Sequence, residues 1–290
     1  MAMNQSYVVA EPLRSKSRLP LLQVANIIFF LLMVAFNFWS ETKPLHGMTS
    51  GELSDLYPNL FTPAGITFSI WSVIYVAILL FIGWQVWPIR NKQRAEQRNW
   101  AVTALGWDFI GLCALNVGWL FCWHYQFVTA SVIVMLVTLG LLIRMNRLLF
   151  RHLPHTVDNR NFLQIPFGLY LGWISVATVA NIAAWLVSRQ WTGFGLSEKL
   201  WTEIMIGVAT LLAVLIVYSW RNIPYALATI WALLGITWKH QQLFGVPFST
   251  VIMTAYIGIL LLLLIVGTRV RPWWNGAVFS EVHEPVPTVY

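Results

Sequence analysis

The chain predicts an all-α fold, a polytopic membrane bundle of about eight transmembrane helices. Three observations carry this expectation. Hydrophobic residues make up 58% of the 290 positions and charged residues 10%, with a mean hydropathy of +0.67, whereas a soluble domain carries about a quarter charged residues. The apolar runs are about twenty residues long, enough for a helix to cross hydrocarbon about 30 Å thick, and are not the alternating segments of an outer-membrane barrel. The basic residues sort into alternate loops. In lipid every backbone N–H and C=O must be satisfied internally, so long unbroken apolar runs fold as helices.

Residues 1–18 form a polar tail with Arg14, Lys16 and Arg18 ahead of the first run. Leu19–Trp39 is long for the core of a signal peptide and ends in no small-residue cleavage pattern, so it reads as helix 1. A loop over 40–62 leads to helix 2 at 63–87, with Thr62 suited to cap it and Pro63 to occupy its first turn. Pro88 and the basic run Arg90–Arg98 close it. Helices 3, 4 and 5 are expected at 100–122, 127–149 and 163–187. A polar linker, Gln190–Glu198, contains Gly193 and Gly195. Helices 6, 7 and 8 follow at 199–219, 224–238 and 247–267, with a tight turn at Arg221–Pro224 and a tail over 269–290. This divides the chain into a five-helix core, 19–188, and three additional helices within 199–268.

Eight spans put all but four of the 18 Lys and Arg on one side, leaving Lys43, Arg189, Lys199 and Lys239 on the other. The positive-inside rule then makes both termini cytoplasmic, and a bacterial inner membrane is the expected location. The net charge of +7 is divided among loops and forms no continuous basic surface, so no nucleic-acid partner is expected. Cys113 and Cys122 lie nine residues apart on one helix, on opposite faces, and cannot pair with each other. Ten of the 17 tryptophans fall near predicted interfaces, where amphipathic rings anchor. Of the other seven, Trp71, Trp107, Trp119, Trp173 and Trp231 are the interior candidates.

Two stripes could build a site. Asp108, Leu112, Asn116 and Trp119 share one face of helix 3, and Tyr170, Trp173, Ala177 and Asn181 share one face of helix 5. Helix 2 brings in Trp71 and, one turn on, Tyr75. Asn116, Asn181 and Trp71 then lie at similar depth in the outer half of the bilayer. An intramembrane amide serves either a ligand or a neighbouring helix. Asp108, near mid-membrane, is the sharper case and a candidate proton or polar site, since a carboxylate there is costly unless paired or functional. His152 and His155 have no cysteine partner and no metal-binding spacing, and no metal site is expected. No nucleophile elbow, phosphate loop or dinucleotide fingerprint is present, and enzyme activity is not expected.

Pro63, Trp71 and Tyr75, then Ala114-Leu115-Asn116 with Trp119, then Tyr170, Trp173, Ala177, Thr178 and Asn181 occur in an order and spacing that resemble the translocator protein family, the tryptophan-rich sensory proteins. The likeness covers about residues 20–188. The loop departs from the family pattern at Ala64, where a second proline is usual. The resemblance implies a TspO-like five-helix core that binds a hydrophobic or amphipathic small ligand, tetrapyrrole- or sterol-like, in a sensory or transport role. Trp71, Tyr75, Asn116, Trp119, Trp173 and Asn181 become the expected ligand-binding residues, with Asn116 as the polar contact. No cofactor is expected other than a porphyrin or haem-type ligand. The expected partners are that ligand and the lipid bilayer, with a homodimer as a further possibility. The alternative is a proton-coupled small-solute or lipid transporter using Asp108.

Overall fold

The computed structural model describes residues 18–275 apart from 44, 46 and 245–248. Among them are α1 (Leu19–Thr42), α2 (Ser50–Asp55), a 3-10 turn (Gly65–Ser69) running into α3 (Ile70–Val86), α4 (Lys92–His124), α5 (Val128–His152) and α6 (Val157–Asn159). A π turn (Arg160–Gln164) leads into α7 (Ile165–Ser188), followed by a 3-10 turn (Gly193–Gly195), α8 (Glu198–Trp220), α9 (Ile223–Phe244) and α10 (Thr250–Asn275). Residues 1–17 and 276–290, which hold most of the two predicted tails, lie outside the described residues.

The fold is the expected helical membrane bundle. Seven helices are long and apolar enough to cross a membrane: α1, α3 with its lead-in turn, α4, α5, α7, α8 and α10. The eighth predicted span, α9, has 22 residues and a rise of about 33 Å, but a less apolar composition. Its surroundings explain this. Leu227, Trp231, Leu234 and Trp238 form its exposed stripe, while Thr229, Thr237 and His240 are buried against other helices. Polar and small residues are tolerated on α9 because protein, not lipid, covers that side.

α1 packs on α4, α5 on α4 and α7, α9 on α7, and α10 on both α8 and α9. Small residues set the closest crossings, as expected where helices associate through close packing in lipid. On α7, Gly168 and Gly172 are four residues apart, in the small-xxx-small pattern. A Cβ at Gly172 would stand 2.9 Å from both the Ala228 Cβ and the Tyr225 Cα of α9, and one at Gly168 would strike the Asn222 side chain. The Asn222 amide donates to Asn146 Oδ1 of α5 (3.0 Å), and the Asn146 amide donates to the Phe167 carbonyl of α7 (3.1 Å). These amides tie α5 to α7 and to the turn that leads into α9. Arg221, with φ of 50°, makes the left-handed turn that folds α9 back along α8.

Several boundaries differ from expectation. Thr62 does not cap helix 2: its hydroxyl bonds within the loop to the Asn59 side chain, and the chain enters α3 through the 3-10 turn. α4 begins eight residues earlier than predicted, because Asn91 caps it by accepting from the Arg94 N–H (3.0 Å) and the basic run continues as helix. α10 continues through Arg269 to Asn275, where a tail was expected. The loop over 40–62 contains α2, closed by a capping box in which Thr49 Oγ1 accepts from the Glu52 N–H (3.3 Å) and Glu52 Oε2 from the Thr49 N–H (2.7 Å).

Two outcomes are expected. Gly172→Leu should separate α7 from α9 and lower the thermal midpoint in detergent sharply, while Gly83→Ala, with open space at its Cβ, should change it little. The hydrogen bonds from Thr49 hold the Glu52 carboxyl below the usual glutamate range. The cap therefore stabilises α2 above the ordinary glutamate range and is lost as pH falls through the lowered value, so amide exchange in Ser50–Leu53 should rise selectively only once the pH is below that ordinary range.

Candidate functional site

The main cavity lies at the end of the bundle where α1, α4 and α7 finish and α5 begins. The empty space there, counting its open mouth, is about 480 Å³. Trp71 of α3, Trp119 and Trp123 of α4 and Trp173 of α7 supply aromatic walls, and Ala177 and Ala180 keep the α7 face low. Ser54 of α2, Pro63 and Phe68 form the side contributed by the α1–α3 loop. The helical repeat accounts for this convergence. Trp119 and Trp123 are one turn apart and stack at 5.8 Å, while Trp173, Ala177 and Ala180 follow at spacings of four and three.

Four of the six predicted ligand-binding residues, Trp71, Trp119, Trp173 and Asn181, line the cavity. Tyr75 and Asn116 do not; they form the layer behind it. Trp71 stacks on Tyr75 at 5.5 Å and meets Tyr170 and Trp173 edge-on at 5.4 and 6.2 Å. The Asn116 amide donates to the hydroxyls of Tyr170 (3.2 Å) and Tyr75 (3.5 Å), and its oxygen accepts from the Asn37 amide of α1 (2.6 Å). Asn116, expected as the polar contact of the pocket, is not among the lining residues, and its donors and acceptor are taken by three other helices. Asn181, though at the wall, is also engaged. It accepts from Trp119 Nε1 (2.9 Å) and donates to Ser131 Oγ of α5 (2.9 Å). Both amides are 4% exposed, and burial without such partners would be costly.

Asp108 lies apart from the cavity. It pairs with Arg144 of α5, bonded through both carboxylate oxygens. Asp108 was expected to be paired or functional, and the helices bring it to Arg144, giving the carboxylate a charged partner. Asp108 is the least buried member of the stripe expected on helix 3; Leu112, Asn116 and Trp119 are buried. Trp107, 62% exposed, and Trp231, 38% exposed, are not interior as expected.

Residues missed by sequence reasoning include Ser54, Phe68, Trp123 and Met135 at the wall, and Asn37 and Ser131 behind it. A spacing signal existed for Trp123, one turn beyond Trp119. The Trp123 indole donates to the Ser50 carbonyl (3.1 Å), so it also carries α2 over the cavity. None of the lining residues is a carboxylate, histidine or cysteine. The wall offers aromatic surface, one engaged amide and one unusual donor: Trp173 Nε1 is buried and has no hydrogen-bond partner among the described residues. A buried indole N–H normally finds one.

The description "TSPO-like protein" belongs to the family model that matches residues 23–268. The match passes beyond the five-helix segment and runs through α8 and α9 into α10, in keeping with the tight α7–α9 contact. No curated protein and no solved structure matches the chain. With the match covering most of the chain, and with the aromatic cavity beneath its α1–α3 loop, the chain belongs to the TSPO-like protein family.

Proposed function

We propose that this integral membrane protein binds a flat, hydrophobic small molecule with a hydrogen-bond-accepting group, of the tetrapyrrole class, in the cavity beneath the α1–α3 loop. The observation that carries this reading is the wall of four indoles, Trp71, Trp119, Trp123 and Trp173, together with a Trp173 N–H that has no partner among the described residues. Ring faces favour a planar π system, and the N–H favours a carboxylate or carbonyl at its edge. A sterol supplies a hydroxyl but no planar ring system, which makes it the weaker fit. The amides of Asn116 and Asn181 stiffen the walls so that the rings are held in place before the ligand arrives. Sorting of the basic residues supports cytoplasmic termini and an outward-facing mouth. The role is sensing or carriage of the bound molecule and not its chemical conversion, because the wall carries no acid–base pair. The Asp108–Arg144 pair acts as a structural link between α4 and α5, outside the binding step.

Titrating the purified protein with protoporphyrin and following tryptophan quenching tests this reading. Trp173→Phe should weaken binding by about two- to ten-fold, the worth of one hydrogen bond. Trp71→Ala should weaken it by at least about ten-fold, through lost ring contact and lost area. Asp108→Asn should leave affinity unchanged while lowering thermal stability. Absence of saturable quenching in the wild type, or quenching untouched by both tryptophan substitutions, would reject the proposal. Loss of binding in Asp108→Asn without loss of stability would favour proton-coupled transport instead.

A further inference from the structure

Helix α9 has a second set of contacts besides its packing on α7. The segment Leu60–Ser69, which contributes Pro63 and Phe68 to the cavity, is bonded along its length to α8 and α9. Both backbone groups of Leu60 are taken: its N–H donates to Glu198 Oε1 (3.1 Å) and its carbonyl faces His240 Nε2 (2.8 Å). The Ala64 N–H donates to the Gly235 carbonyl (3.1 Å). The Trp231 indole donates to the Thr67 carbonyl (2.8 Å). At Gly235 the two segments are so close that a Cβ would strike the Thr67 side chain and stand 2.9 Å from Pro63 Cβ. Lys239 Nζ reaches Asp55 Oδ1 at the end of α2 (2.9 Å).

These bonds share a direction. Each runs from the loop on one side of the cavity to helices that contribute no residue to the cavity wall. Within the loop itself, Ala64 and Thr67 are joined by one bond, from the Thr67 N–H to the Ala64 carbonyl (2.9 Å). Besides the bonds of Phe61 and Thr62 to Asn59 at its start, the loop is held from outside by α9 and by Glu198 of α8, and a molecule leaving through that side must displace these contacts as well as wall contacts. We propose that Trp231, Gly235 and His240 are positioning residues that hold the Leu60–Ser69 segment as a lid, and that this hold governs the rate of ligand release.

The second half of this inference rests on the cavity being the ligand site, and the test separates the two. Ala64→Pro removes one N–H while fitting the native backbone, since Ala64 already has φ of −58°. Trp231→Phe removes the indole donor and keeps a ring on the outside of α9. In ligand-free protein, both variants should show faster amide exchange across residues 60–69 than wild type, with exchange in α5 unchanged. With protoporphyrin as the probe, both should release it about two- to ten-fold faster in stopped-flow fluorescence, as loss of one hydrogen bond allows. Unchanged exchange in both variants overturns the proposal whatever the porphyrin does. Faster exchange with unchanged release also overturns it. If wild type binds no protoporphyrin, faster exchange still supports the α9 hold, and the failure belongs to the cavity reading alone.

Discussion

The near-contact of α7 with α9 is the constraint on which the rest of the bundle depends. Gly168 and Gly172 remove the side chains that would hold the helices apart, and Asn222, Tyr225 and Ala228 fill the space. In lipid there is no large hydrophobic gain from bringing two helices together, so close van der Waals contact and satisfied polar groups must supply the attraction. The crossing provides both, through glycine and through the Asn222–Asn146 bond. It fixes α9 beside the five-helix segment. From there α9 reaches the α1–α3 loop at Gly235, and α10 has a surface to pack on. The small residues of one helix thus set the position of a loop at the far end of another.

The amides divide between support and recognition in a way that burial alone would not reveal. Asn116 and Asn181 have the burial and depth of ligand contacts, yet their oxygens and nitrogens are engaged by other protein groups. Asn116 joins α1, α3, α4 and α7, and Asn181 joins α4, α5 and α7. A cavity wall of large rings needs such ties, because rings alone can slide past each other. Among the cavity's lining residues, the group left without a partner is the less conspicuous Trp173 N–H. Unmet hydrogen-bonding capacity, more than polarity, marks where a ligand would be held.

Much of this was legible from residue order. The long apolar runs located all eight long helices, and the stripes Tyr170–Asn181 and Leu112–Trp119 turned the expected faces inward because helical spacing dictates it. Pairings between distant helices were not legible. Asp108 and Arg144 are 36 residues apart, and no periodicity links them. The exposure of Trp107 and Trp231 depends on which neighbours cover a helix, which its own sequence does not specify. Other signals were present but carried little weight alone: the Thr49–Glu52 capping box inside an assumed loop, and the Gly168–Gly172 spacing inside a helix valued for its tryptophans. The loop was hardest to read, because its shape is dictated by Gly235, Trp231 and His240, at least 160 residues away.

The modest hydropathy of α9 bears on how the protein is assembled. A segment whose Thr229, Thr237 and His240 are sheltered only after its neighbours arrive gains little from entering the bilayer by itself. Arg221 turns the chain back within two residues, so α9 follows directly on α8, which is apolar enough to span on its own. α7 is by then already in place to receive it. The bonds that tie Leu60, Ala64 and Thr67 to α9 join an early segment of the chain to one more than 160 residues later, so they can form only once α9 has been made.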